Sequence, residues 1–180
     1  DDACGEAFDK VAKHYGMGFP GGIAIDRLSK SGDPDAFRFP KPNLHKGDAR
    51  YDVSYSGLKT AVIHQLDQFW NGKAERSLAN IAASFQKTAI DILVDRVVLA
   101  ARDTGLRRVV AGGGVAANSR LRERLAAEPG LEGIFPSLAL CTDNAAMVAG
   151  LGWQLLRDGK TAGLDLNAEA RVSMFKRRYP

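Results

Sequence analysis

The sequence predicts an α/β domain in which several helices pack against a small sheet. Apolar residues recur at helical spacing through most of the chain, a few short β-type runs interrupt them, and one run leads through three glycines into a helix. The 180 residues, 45% of them hydrophobic and 26% charged, suffice for one globular domain with a buried core. Only three or four strands are visible and the chain begins with Asp1, so we expect it to be part of a larger protein.

The first half of the chain is predicted to be mainly helical. Its first helix carries an apolar face and ends at Gly16, which is a typical C-terminal stop. A Pro-Gly-Gly turn then leads into a short helix with Ile25 and Leu28 on its apolar side. In order, we predict a helix at 5–16, a short helix within 17–32, a surface loop at 33–50, a strand at 51–56 and a helix at 57–70 capped by Ser56.

The second half alternates helices with strands, as an α/β layer requires. The longest predicted helix is followed by a strand, the glycine turn, a helix, a second strand and a last helix. Small residues line one side of that last helix and permit close packing on a sheet. We predict these elements at 76–103, 107–112, 119–127, 133–137 and from Thr142 or Asp143 to 159, with a weakly structured tail from Thr161.

Charge and cysteine content limit the classes of function. The net charge is +4, and its excess in residues 38–50 and 175–180 suits a polyanion such as RNA, although solvated basic loops are the simpler explanation. Cys4 and Cys141 fit neither a disulfide framework nor a metal-ligand spacing, which favours a reducing, cytoplasmic setting. We expect no membrane association, because no apolar run approaches the roughly 18 residues of a membrane span.

The glycine turn is the first candidate ligand site. A strand that ends in Gly112, Gly113 and Gly114 before a helix presents bare main chain and a helix N-terminus, which suit a phosphate or a sugar hydroxyl. It is neither a Walker loop nor a dinucleotide fingerprint, since no Gly-Lys-Ser/Thr follows and Ala117 stands where the last glycine would be. A tight connection with Asn118 or Ser119 as N-cap is the structural alternative.

The segment at 141–149 holds the second candidate, Asp143, at a predicted helix start. Its carboxylate either caps free N–H groups or offers a ligand to a metal or a phosphate-bound ion. Nothing else in the sequence completes a metal site, because His14, His45 and His64 lie in three separate elements.

Carboxylates near the N-terminus form the third candidate. Glu6, Asp9 and Lys10 lie within about one helical turn, and Asp26 follows the Gly21-Gly22 turn, although a solvated helix face has the same appearance.

A fourth, weaker candidate is the helix start at Ser56 and Gly57. With Lys59 one turn further on it suits an anion, but any capped amphipathic helix has the same features.

Together and in this order, five sequence blocks resemble the C-terminal half of the tRNA N6-adenosine threonylcarbamoyltransferase family. Older naming calls that family O-sialoglycoprotein endopeptidases, or glycoproteases. The resemblance extends from Asp1 to about Trp153. The blocks are DDACGEAFDKVAK, FPGG, SYSGLKTAV, AGGGVAANSRLRERL and CTDNAAMVA.

The resemblance implies a two-lobed, actin-like fold of the sugar-kinase and heat-shock ATPase type. Each lobe has ribonuclease-H-like topology, and a nucleotide lies in the cleft between them. Residues 1–180 would then be the second, C-terminal lobe with a helical insertion, and the N-terminal lobe would be absent from this chain.

Site residues follow from the same resemblance. Gly112, Gly113 and Gly114 would let the main chain approach an adenylate, which Asn118 would contact. Positions matching Asp9, Gly22 and Asp26 hold the ribose or the acyl-adenylate. Asp143 matches a ligand of one divalent metal ion, iron or zinc, whose two histidine ligands belong to the missing lobe. No residue suggests itself as general base.

The implied activity is an acyl transfer to tRNA. The threonylcarbamoyl group passes from threonylcarbamoyl-adenylate to N6 of the adenosine next to the anticodon, and AMP leaves. Partner proteins of a tRNA-modification complex are implied as well, and we expect this chain alone to be inactive. The alternatives are a metal-dependent glycoprotein peptidase and a non-catalytic docking lobe. A sugar kinase or another actin-like ATPase is disfavoured by the SGLKT and CTDNAAM motifs.

Overall fold

The computed structural model describes residues 2–41 and 50–167 and shows helices combined with a small parallel sheet. This confirms the α/β character predicted from the sequence. The chain divides into two compact units, Asp1–Asp143 and Asn144–Pro180. Within the described residues, the helices are α1 (Cys4–His14), α2 (Gly21–Ser29), α3 (Ser56–His64), α4 (Leu78–Thr104), α5 (Ser119–Ala126) and α6 (Ala145–Arg157). The strands are β1 (Arg108–Val110) and β2 (Glu132–Ile134), and short 3-10 turns lie at Leu66–Phe69, Gly114–Ala117 and Leu138–Leu140.

Helix α4 is the centre of the first unit, and α1, α2, α3 and α5 pack around it or on one another. It begins where the Ser77 hydroxyl accepts a hydrogen bond from Asn80 N, and it ends at Gly105, whose φ of 69° is in the left-handed region. Its buried side includes Phe85, whose ring lies 4.9 Å from that of Phe8 on α1. The predicted helix at 76–103 is therefore confirmed with a shift of one or two residues.

The sheet positions the glycine turn. β1 and β2 pair in parallel, with Val109 opposite Gly133, and the crossover between them contains α5. Because residues 112–114 follow the carboxyl end of β1, they lie at the edge of the sheet where α/β proteins commonly bind ligands.

Three predictions for the middle of the chain are wrong. Residues 51–56 form no strand: they pair with no other strand of the described chain, and Tyr55 is instead buried and donates its hydroxyl to Ala89 O on α4. Ser56 is the first residue of α3 rather than its cap. The helix predicted to reach residue 70 ends at His64, since the Tyr15 hydroxyl takes the Val62 carbonyl that a continued helix would use.

The predicted surface loop at 33–50 is only partly a surface loop. Phe37 and Phe39 are buried with their rings stacked 5.7 Å apart, and Phe37 forms an isolated antiparallel bridge with Trp70. Residues 42–49 lie outside the described part of the chain.

Helix α6 begins later than predicted. Asn144, not Thr142 or Asp143, is its N-cap, because the Asn144 side chain accepts a hydrogen bond from Met147 N at 3.1 Å. None of the residues of α6, including the small ones that would permit close packing on a sheet, is buried. Residues 161–167 form no helix or strand, in agreement with the expected tail, whose remainder at 168–180 is outside the described residues.

Among the described helices, none is both long and apolar enough to cross a membrane.

Candidate functional site

Asp9 joins the first two helices. Its Oδ1 accepts a hydrogen bond of 2.7 Å from the main-chain N of Gly21, the first residue of α2. The two helices approach so closely here that a Cβ on Gly21 would lie 2.6 Å from Asp9 Cα and 2.7 Å from the Phe8 carbonyl oxygen. Gly22, by contrast, has nothing within 4 Å of its Cβ position. Packing therefore explains the first glycine of the pair but not the second.

Asp26 joins α2 to the start of α5. Its Oδ1 accepts hydrogen bonds from both the main-chain N and the hydroxyl of Ser119, at 3.2 and 2.7 Å. A carboxylate in this position satisfies an N–H group at the helix start and interacts favourably with the helix dipole. The start of α5, which the sequence offered as an anion site, is thus already occupied by a carboxylate of the protein.

Asn118 is the N-cap of α5, as the structural alternative predicted. Its Oδ1 accepts from Leu121 N at 3.0 Å, and its Nδ2 donates to Gln86 Oε1 at 2.9 Å. Gln86 in turn donates to the Ser29 hydroxyl at 2.8 Å. Because Gln86 and Asn118 are both buried, this relay fixes the orientation of the Asn118 amide and ties α2, α4 and α5 together.

The glycine turn itself is open. Gly112, Gly113 and Gly114 are exposed, and a Cβ at any of the three would meet nothing within 4 Å. Only Gly113 has a conformation that demands glycine, with φ at 83°. Among the hydrogen bonds of residues 2–41 and 50–167, none has the N–H of Gly112 or Gly113 as its donor. The turn therefore presents unused main-chain donors on a bare surface.

Contacts bring most of the predicted binding residues into one region. Asp9 touches the start of α2, Asp26 on α2 touches the start of α5, and Asn118 precedes α5 directly. The 3-10 turn that begins at Gly114 also packs on α1, where the Cβ position of Gly5 lies 3.8 Å from Val115 Cγ2. The predicted nucleotide-binding residues are thus linked through elements that are distant in sequence.

The other acidic and basic residues near the N-terminus form an ion-pair network. Lys10 Nζ lies 2.7 Å from both Asp2 Oδ1 and Glu6 Oε1, and Lys59 Nζ lies 2.6 Å from Asp2 Oδ2. Hydrogen bonds from Lys10 and then Lys59 lower the pKa of Asp2, whose carboxylate they hold in its charged form. Lys59, which the sequence offered as an anion ligand at the start of α3, is paired with Asp2. Local spacing gave no sign of this contact, because residues 2 and 59 are far apart in sequence.

Asp143 belongs to no cluster of metal-binding side chains among the described residues. It is exposed, and the described residues contain no group of three or more His, Cys, Asp or Glu side chains that could hold a metal ion. His14 and His64 are exposed at the ends of different helices, and His45 lies outside the described part of the chain. The described residues of this chain do not by themselves fit a metal site.

Two basic residues predicted to contact RNA are paired with acids on α4. Lys41 Nζ lies 2.8 Å from Asp95 Oδ2, and Arg50 contacts Asp103 at 2.5 Å. Lys46 and residues 175–180 are outside the described residues. The RNA hypothesis for residues 38–50 therefore gains no support from Lys41 and Arg50.

Comparison with known proteins relates the chain to one family. The family model described as TsaD, tRNA N6-adenosine threonylcarbamoyltransferase, matches residues 1–150. The chain is 58% identical to the tRNA N6-adenosine threonylcarbamoyltransferase of Treponema denticola over 99% of this chain and 53% of that protein. It is 53% identical to the protein of the same name from Treponema pallidum (strain Nichols), over 99% of this chain and 51% of the relative.

A more distant relative has the same name. The Borreliella burgdorferi (strain ZS7) protein is 47% identical over 99% of this chain and 51% of its own length. The chain thus spans about half the length of the curated relatives that it matches.

Proposed function

The chain belongs to the family of the tRNA N6-adenosine threonylcarbamoyltransferases, and we propose that it forms the donor-binding half of an enzyme with that activity. The proposed donor is threonylcarbamoyl-adenylate, and the proposed acceptor is N6 of the adenosine next to the anticodon of a tRNA. The family membership and the geometry around the glycine turn support this proposal.

One observation carries the proposal: the open glycine turn. Gly112 and Gly114 have neither a left-handed backbone nor a neighbour that a Cβ would meet, so the protein's own packing does not require glycine at either position. A ligand that lies directly on the main chain does require it, because any side chain would stand between the two. The unused N–H groups of Gly112 and Gly113 suit the phosphate of an adenylate.

The carboxylates of Asp9 and Asp26 can each accept a further hydrogen bond from a ribose hydroxyl. Asp9 and Asp26 use Oδ1 for their contacts with α2 and α5, and within the described residues Oδ2 of each accepts no hydrogen bond. An ionised carboxylate oxygen is a good acceptor for a sugar hydroxyl. Gly22, with open space at its Cβ position, allows the same ligand to approach the main chain of α2.

In the proposed reaction, the N6 amine attacks the carbamoyl carbon of the mixed anhydride. A C–N bond forms, the bond from that carbon to the phosphate oxygen breaks, AMP leaves with the electron pair, and the amine loses a proton. The contribution of this chain is to hold the adenylate so that its carbamoyl carbon faces the acceptor, which makes the reaction effectively unimolecular. We assign no general base.

The remaining features of the proposal concern the rest of the enzyme. We propose that residues 1–180 belong to the second, ribonuclease-H-like lobe of an actin-like fold and that a first lobe completes the nucleotide cleft. We propose Asp143 as a ligand of iron or zinc in the complete enzyme, and we derive no step through a metal. A cytoplasmic setting and partner proteins of a tRNA-modification complex complete the proposal. No contact among the described residues favours the peptidase alternative.

A transfer assay tests the proposed function. The protein encoded by the complete open reading frame is incubated with threonylcarbamoyl-adenylate, iron or zinc, any partner proteins needed and unmodified tRNA. The tRNA is then digested, and its nucleosides are analysed by mass spectrometry. We expect a threonylcarbamoyl adduct on adenosine that Asp143→Ala abolishes. Glu123→Ala, which removes an exposed carboxylate on α5, is the matched control and should leave the yield unchanged. A folded protein that yields no adduct would contradict the proposal and favour a docking lobe.

A further inference from the structure

Arg122 on α5 joins three segments of the chain. Its Nε donates to the Ala116 carbonyl at 2.8 Å, and Nη2 donates to the Pro136 carbonyl at 2.8 Å and to Cys141 Sγ at 3.3 Å. The guanidinium carbon also lies 4.8 Å from the centre of the Phe135 ring. One side chain therefore connects the 3-10 turn that follows the glycines to the segment that leads from β2 to Asp143.

The neighbours of Arg122 distinguish it from a surface ion pair. In the described parts of the chain no carboxylate lies within salt-bridge distance of its guanidinium, and its partners are two carbonyls and a buried thiol. Arg124, two residues later on the same helix, instead pairs with Asp91 and Glu128. A guanidinium group suits this position, because it is planar and its several N–H donors point in fixed directions. It can therefore hold hydrogen-bond acceptors on different segments at set distances.

We propose that Arg122 is a positioning residue, which holds the segment carrying Asp143 in place against the turn that carries the glycines. This inference rests on the proposed function, since it assigns Arg122 to the alignment of the donor site with Asp143. Cys141, only 2% exposed and two residues before Asp143, is the anchor point of that segment. When the Arg122 guanidinium is removed, the Ala116 and Pro136 carbonyls lose the side chain that donates to both. The glycine turn and the segment that carries Asp143 then move independently.

The first test measures the local opening of the segment. Cys141 is labelled with a maleimide in the protein encoded by the complete open reading frame. The extent of labelling over time is measured on the tryptic peptide that contains Cys141, by mass spectrometry. We expect Arg122→Gln to speed the labelling roughly tenfold, because a thiol that is buried reacts through local opening. Arg124→Gln, which removes a guanidinium from the same helix, should label like the unchanged protein. Equal labelling in both variants would overturn the proposal.

The second test separates positioning from general stability. We expect Arg122→Gln to lower kcat for threonylcarbamoyl transfer by about tenfold to a hundredfold, with a smaller change in KM for the donor, because misalignment acts on the reacting geometry. Arg122→Lys keeps the charge but not the planar guanidinium group and should recover only part of kcat. A loss of kcat in Arg124→Gln as large as that in Arg122→Gln would contradict the inference.

The failure of the proposed function is distinguishable from the failure of this inference. If the unchanged enzyme transfers nothing, the proposed function fails, and the labelling rates alone decide whether Arg122 holds the segment.

Discussion

The two glycine segments of this protein look alike in sequence and differ in structure. At Gly21 a Cβ would lie 2.6 Å from the Asp9 main chain, so the close approach of α1 and α2 requires glycine. At Gly112 a Cβ would meet nothing within 4 Å, and the backbone is not left-handed. The first glycine is explained by the protein's own packing, whereas no contact among the described residues explains the second.

This difference separates a closed framework from an open surface. The framework comprises the contacts from Asp9 to Gly21, from Asp26 to Ser119 and from Gln86 to Asn118, which join helices distant in sequence. The open surface is the glycine turn that these contacts hold in place. Changes in the framework should therefore reduce stability, whereas a small change on the open surface should reduce ligand affinity and leave stability intact.

Of the three changes in stability predicted here for Gly21, Gln86 and Asp2, the largest is expected from Gly21→Ala. The added methyl group would meet main-chain atoms, which cannot turn aside as a side chain does, so α1 and α2 must separate and the Asp9 hydrogen bond is lost. We expect a loss of about 3 kcal/mol in the free energy of unfolding, measured by denaturant titration of the complete protein. Gly57→Ala is the control: its Cβ site in α3 is open, and the change should stabilise by roughly 0.5 kcal/mol. Similar changes in the free energy of unfolding for Gly21→Ala and Gly57→Ala would refute the distinction between glycines that packing requires and glycines whose Cβ position is open.

A smaller loss is expected from Gln86→Leu, which tests the relay behind Asn118. The substitution leaves the Nδ2 of the buried Asn118 without its acceptor and the partly buried Ser29 hydroxyl without its donor. We expect a loss of about 1–3 kcal/mol in the free energy of unfolding. Lys87→Gln, which removes an exposed ion pair with Asp35 at the next position of α4, should cost less than about 1 kcal/mol. Equal losses of unfolding free energy in Gln86→Leu and Lys87→Gln would show that the relay stabilises the fold no more than an exposed ion pair does.

The smallest effect is expected at Asp2, through pH. Because Lys10 and Lys59 lower the pKa of Asp2 in the folded protein, its contribution to stability is present above its unfolded pKa and is lost as the pH falls through the lower, folded value. Asp2→Asn should therefore destabilise slightly near neutral pH and converge with the unchanged protein in acid. Unfolding curves at neutral pH and at a pH below the ordinary value of 3.8 measure this. A difference that grows in acid would contradict the assigned ion pairs.

Local patterns predicted the helices well because caps and apolar spacing are local. Gly105 ends α4 in the left-handed conformation expected of it, and α5 was placed to within a residue. The alternation at 51–56 was misleading because Tyr55 is buried against a helix, not in a sheet. Local patterns carry no information on which distant segments meet.

The candidate site shows the same limit. The glycine turn and Asp9, Asp26 and Asn118 were selected from the sequence, but their partners were not. Asp26 reaches Ser119, which lies 93 residues away, and Gln86 has no feature in the sequence that sets it apart from other helix residues. Arg122 was likewise missed, because one arginine among several on α5 gives no sign of its three acceptors. Long-range hydrogen bonds of this kind depend on the assembled fold.

The most direct test of the open glycine turn is the affinity of the complete protein for AMP, the leaving group of the proposed reaction, before and after Gly112→Ala. We predict that the dissociation constant, measured by calorimetric titration, rises at least about tenfold because the methyl group displaces the ligand from the main chain. The free energy of unfolding should stay within about 0.5 kcal/mol of the original value or increase slightly, since the Cβ site is open. An unchanged AMP affinity in a stably folded Gly112→Ala protein would contradict the assignment of the turn as the adenylate site.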